Sequence, residues 1–116
     1  MHLYKCRLIV DKETKLQEKN IINIGLDEKN SEEVVKILNR LLSDEYVLYT
    51  KTRGYHWNVK GMRFNDLHKF FEAQYTELEV VIDDVAERAR SVGGYSNGSL
   101  AEMLKDSTLE EDTTTS

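Results

Sequence analysis

The sequence predicts an all-α fold, a hairpin of two long antiparallel helices followed by one short helix. Three observations carry this reading. Apolar residues recur at helical spacing over about 31–59 and again over about 66–91, Gly61 stands between the two runs, and Ser99 with Glu102 marks a third helix start.

Residues 1–29 hold no sustained period. They mix a short β-like run, Leu3 to Val10, with a charged stretch and the apolar patch Ile21 to Leu26, and are expected to form an arm. The pattern changes at Asn30. Asn30 or Ser31 can cap a helix, Glu32 and Glu33 suit its positive end, and Val34, Leu38, Leu41, Leu48, Tyr55 and Val59 fall on one stripe. The stripe is interrupted at Glu45 and Thr52, where a purely structural helix would more often carry Leu or Ala. The first helix is placed over about 31–59.

Gly61 suits a helix end, and Asn65 or Asp66 can cap the next helix, so a tight antiparallel turn is expected. The second helix, about 66–91, keeps Leu67, Phe71, Leu78, Ile82, Val85, Ala89 and Val92 at helical spacing, and Gly93-Gly94 ends it. The third starts at Ser99, with Leu100, Met103 and Leu104 as its apolar side. Residues 30–109 thus form one helical unit, and 110–116 a polar tail that frays. Two helices share only one seam, yet the second presents Phe70, Phe71, Tyr75, Leu78, Val81, Ile82 and Val85, so the hairpin is expected to seek partners.

Composition narrows the function. The longest apolar runs are far too short to cross a bilayer, and Met1 opens no signal pattern, so no membrane role is expected and a cytoplasmic location is the default. The single cysteine, Cys6, has no internal disulfide partner. A net charge of -5 argues against a surface built for nucleic acid. The local exception is residues 1–25, where Lys5, Arg7, Lys12, Lys15 and Lys19 face Asp11, Glu13 and Glu18, leaving DNA contact only this weak patch.

Two of the three histidines, His56 and His68, bracket the turn and can converge in an antiparallel hairpin. Imidazole with carboxylate suits a borderline cation such as Fe(II). Read singly, each histidine is better explained by packing beside the turn and bonding a carbonyl. Asp83 and Glu87, four apart, share one face of the second helix, as they would on any solvated acidic edge. Distance decides how the four can act together. Fifteen residues separate His68 from Asp83, roughly 22 Å along a continuous helix. One chain cannot close such a site. A two-fold axis near Glu72 to Tyr75 would set the histidines of each chain opposite the carboxylates of another and create two equivalent sites. No glutamate precedes either histidine by three, unlike sites formed within one subunit.

The stretch Tyr55-His56-Trp57-Asn58-Val59-Lys60-Gly61, then Phe64, Leu67-His68, Asp83 and Ala86-Glu87-Arg88, closely resembles the Dps family of mini-ferritins, DNA-binding proteins from starved cells. The resemblance covers about residues 31–109. It implies a ferritin-like fold and a ferroxidase centre at a dimer interface, with His56 and His68 from one subunit and Asp83 and Glu87 from the other. It further implies oxidation of Fe(II) by hydrogen peroxide, iron storage inside a hollow dodecamer, protection of DNA, and a place in the cytoplasm or nucleoid. Trp57 would be a nearby oxidisable or interface-packing group. Glu72 stands where the family usually has an Asp that helps hold a second iron, and is a candidate ligand for it.

The resemblance covers only the first half of the family's four-helix subunit, and the helices that complete the bundle are not in this sequence. A truncated product, a complementary second-half chain and self-assembly of the hairpin all remain open. The alternative function is a non-catalytic helical interaction module that keeps the motif.

Overall fold

The computed structural model describes residues 27–114, so the expected arm as far as residue 26, with His2, Cys6 and the basic patch, lies outside the described residues. Three helices follow one another: α1 (Glu28–Asn58), α2 (Phe64–Ser91) and α3 (Leu100–Asp106). The fold is all-α, with no strand among the described residues.

α1 starts earlier than Asn30. The Asp27 carboxylate accepts the Asn30 backbone N–H at 2.7 Å and so satisfies one of the donors that a helix start leaves open. At the other end the chain leaves helical geometry at Val59, and Gly61 takes φ 102°, a left-handed conformation that suits glycine. The Phe64 N–H then bonds the Gly61 carbonyl, and α2 begins at Phe64, before either Asn65 or Asp66 and without a side-chain cap. Backbone turning, rather than a capping side chain, starts this helix.

α2 ends as a Schellman motif. Gly94 N–H bonds the Ala89 carbonyl, Gly93 N–H bonds the Arg90 carbonyl, and Gly93 takes φ 112°. Gly94 is needed for a second reason. A Cβ there would overlap the Val35 side chain, so α1 passes this turn at backbone distance.

The antiparallel hairpin is visible in its contacts, with Val35 against Gly94, Tyr49 against Tyr75 and His56 against His68. α3 lies on a neighbouring face of α1 and is held there largely by polar bonds. Asn39 donates to the Tyr95 carbonyl and accepts the Asn97 N–H, both at 2.8 Å, while Asn97 Nδ2 reaches Ser43 Oγ and Asp106. Asp44 accepts from Ser107 Oγ and from both the N–H and the hydroxyl of Thr108. As its sequence suggested, Ser99 caps α3 and also bonds Glu102, here hydroxyl to carboxylate at 2.6 Å.

The buried apolar set is small: Leu42, Val47, Ala89, Val92 and Met103. The stripe expected on α1 is displaced from it. Leu41 and Leu48 are each 44% exposed, whereas Leu42, Ser43, Val47, Thr52 and His56 are buried. α1 serves two partners on adjacent faces, α2 and α3, and Ile37, Leu41 and Leu48 project from a third that neither covers. On α2, Leu67, Phe70 and Val81 are exposed as well.

Two glycines separate backbone propensity from packing. Gly54 lies inside α1 with open space where a Cβ would stand, so Gly54→Ala should raise stability by about 0.5–1 kcal/mol. Gly94→Ala should lower it by about 1–3 kcal/mol through overlap with Val35. Urea unfolding followed by circular dichroism reads both signs.

Candidate metal centre

His56 lies in the last turn of α1 and is 7% exposed, while His68 lies early in α2 and is half-buried. The turn at residues 59–63 brings them together. Their rings stack at 3.6 Å between centroids with 17° between planes. Each ring bonds the other residue's backbone: His56 Nδ1 to the His68 carbonyl at 2.6 Å, and His68 Nδ1 to the His56 carbonyl at 2.7 Å. A carbonyl can only accept, so each Nδ1 carries the proton. In the neutral ring this leaves the Nε2 lone pair as the ligating position. Metal-binding histidines are commonly oriented by such a bond from the other ring nitrogen. Phe64 stacks on His68 at 5.0 Å, and Tyr75 meets His56 edge-on at 5.2 Å, which locks the pair further.

The carboxylates lie elsewhere. Asp83 and Glu87 are exposed on α2 and make no hydrogen bond or ion pair among the described residues; the ion pair there is Arg53–Glu79. Fifteen residues of unbroken helix keep Asp83 roughly 22 Å from His68. Glu72 is exposed one turn beyond His68 on the same helix. Among the described residues no group of three or more His, Cys, Asp or Glu side chains converges as a metal site. The structure therefore joins the two histidines and keeps the two acids apart from them.

A second cluster adjoins the histidines and was not singled out in the sequence. Arg53 Nη1 pairs with Glu79 Oε1 at 3.2 Å and donates to the Tyr49 hydroxyl oxygen at 2.8 Å. The Tyr49 hydroxyl in turn donates to Glu79 at 2.7 Å. The guanidinium also lies over the Tyr75 ring at 4.4 Å and reaches the exposed Trp57 at 5.7 Å. Tyr49, Arg53 and Trp57 recur every four residues, so the helical period could have revealed their shared face. Burial, followed by the bond to Glu79, holds the Tyr49 phenol above its ordinary pKa.

The two interruptions of the α1 stripe also acquire roles. Thr52 is buried and returns its hydroxyl to the Leu48 carbonyl. Glu45 is half-buried, its Oε2 has no hydrogen-bond partner, and burial pushes its carboxyl above the ordinary glutamate range.

The model of the ferritin-like domain family matches residues 35–116. A crystal structure of a Dps protein from Vibrio cholerae O1 superposes with a TM-score of 0.76 at 41% identity, over 78% of this chain and 57% of that one. The chain belongs to the Dps family. This Dps chain is also 40% identical over 81 residues to DNA protection during starvation protein 2 of Bacillus anthracis, covering 70% of this chain and 56% of that one. A low temperature-induced protein of Nostoc sp. is 44% identical over 90 residues, 78% of this chain and 50% of that one. The chain thus spans about half the length of the curated relatives it matches. The Vibrio protein is described as one of a broad superfamily of ferritin-like diiron-carboxylate proteins.

Glu45 gives a pH test of this neighbourhood. A carboxyl whose folded pKa is raised costs stability when ionised, and that cost is absent below its ordinary value of 4.5. Glu45→Gln should therefore raise the unfolding midpoint at neutral pH. The gain should disappear as the pH falls below the ordinary glutamate range, as read by thermal unfolding across pH.

Proposed function

We propose that this chain contributes both halves of an iron-oxidising centre shared between subunits, with His56 and His68 given by one copy and Asp83 and Glu87 by another. The single observation that supports this most is the pair of reciprocal Nδ1–H bonds, which leave two adjacent Nε2 lone pairs with no acidic partner among the described residues. Two neutral imidazoles and two carboxylates carry a charge of -2, which balances Fe(II) and offers it borderline nitrogen with hard oxygen.

The substrate in this reading is Fe(II), and hydrogen peroxide is the oxidant. The protein's part is positional. Tautomer-fixed histidines hold the metal from one side, and the carboxylates of the mate neutralise the charge that grows on going to Fe(III). Glu72, one turn from His68, is the residue placed to assist a second iron. Family membership supports iron storage and protection of DNA as the wider role, with a dodecamer as the assembly.

The other reading, a non-catalytic helical module that docks on a second chain, draws on the exposed Ile37, Leu41, Leu48, Phe70 and Val81. Light scattering separates the two: only monomer, with no iron uptake, favours the module.

Complementation tests the shared centre. His56→Ala and Asp83→Ala should each lower Fe(II) binding and peroxide-driven oxidation by more than about tenfold. A mixed dimer of the two variants carries one centre with both defects and one with neither. Co-refolding them should restore part of the activity. Oxidation at the native rate in both single variants would sink the assignment, and failure of the mixture to recover would sink the sharing.

A further inference from the structure

The aromatic rings beside the histidine pair form a line that leads away from it. His56 meets Tyr75 at 5.2 Å and 72°, and Tyr75 meets Tyr49 at 6.1 Å and 84°. Both are edge-to-face contacts within the usual 4.5–7 Å range of aromatic pairs. Tyr49 differs from Tyr75 in having a proton acceptor, since its hydroxyl donates to the Glu79 carboxylate at 2.7 Å. A phenol gives up an electron readily when its proton can leave in the same event. At this distance the proton's destination is already in hydrogen-bond contact.

Trp57 is less well placed. It is 65% exposed, and its ring contact among the described residues is the Arg53 guanidinium at 5.7 Å. It joins no ring-to-ring contact among the described residues, whereas Tyr75 meets His56 directly.

We propose that Tyr75 and Tyr49 are a one-electron relay from the iron centre, with Tyr49 the group oxidised and Glu79 its proton acceptor. The relay rests on the iron-oxidising reading above. Hydrogen peroxide needs two electrons to become two waters, and one Fe(II) supplies only one. Tyr49 supplies the second through Tyr75 in a centre that holds a single Fe(II). The O–O bond of peroxide breaks and two solvent protons complete the two waters. Fe(II) becomes Fe(III), and the Tyr49 O–H bond breaks, its proton passing to Glu79 and leaving a neutral phenoxyl radical. Without this donor, one-electron cleavage of peroxide releases hydroxyl radical.

The test uses the assembled protein loaded anaerobically with Fe(II) at no more than one per centre, mixed with hydrogen peroxide and freeze-quenched for electron paramagnetic resonance. A parallel sample contains a spin trap for hydroxyl radical. A tyrosyl signal is expected in the unaltered protein. It should be lost in Tyr49→Phe, which keeps the ring and removes only the hydroxyl, and reduced severalfold in Glu79→Gln. Tyr55→Phe, which lies off the line against Phe71, should keep it. Trapped hydroxyl radical should rise severalfold in Tyr49→Phe. Iron oxidised without any tyrosyl signal overturns the relay alone, as does an unchanged signal in Tyr49→Phe or a signal from indole. If Fe(II) is not oxidised at all, the iron-oxidising reading fails and the relay falls with it.

Discussion

The fixed rise of an α-helix sets the terms for this molecule. Each residue of α2 advances the chain by about 1.5 Å, and no side chain is long enough to fold that distance back. His68 and Asp83 stand on one unbroken helix, so they cannot share an ion within a chain. The hairpin instead displays two incomplete donor sets, a nitrogen pair at the turn and an oxygen pair far along α2. A two-fold arrangement of two such helices is the simplest geometry that completes both at once. The Arg53, Tyr49 and Glu79 cluster spans the length between them, with Arg53 one turn from His56 and Glu79 one turn from Asp83.

Packing within the chain is enough to define the hairpin but not to cover it. The buried apolar set is supplemented by polar pins, Asn39 and Asp44 above all, which tie the segment after α2 back onto α1. Such bonds give position more than energy, because each replaces a bond to water. The uncovered Leu41 and Leu48 on α1, with Phe70 and Val81 on α2, leave both helices with more apolar surface than one hairpin can bury. That agrees with a chain spanning about half the length of its relatives.

Much of this was legible in the sequence, because helical period and punctuation are local properties. The runs that became α1 and α2, the Gly93-Gly94 stop and the Ser99 start depend only on neighbours a few positions away. The separation of His68 from Asp83 was readable for the same reason. What was not readable depends on which element covers which face. The expected α1 stripe ran through Leu41 and Leu48, but α3 drew burial towards Ser43 and Val47. Asp27 captured the start of α1 because its carboxylate fits the Asn30 N–H, a choice that spacing cannot rank above Asn30 or Ser31. The histidine stack needed the turn's actual path, and the Arg53 cluster needed the register between two helices.

One consequence follows from the crossed bonds of His56 and His68. Each imidazole is fixed by the other's main chain, so the two residues act as a clasp between the ends of α1 and α2. The rotational freedom of both rings is lost when the hairpin folds, before any cation arrives. In the proposed centre a cation entering afterwards would meet donors that need no further ordering, and the entropic cost of assembly would fall on the meeting of two chains instead. In the proposed centre, any change that loosens the turn would therefore slacken the metal grip without touching a ligating atom.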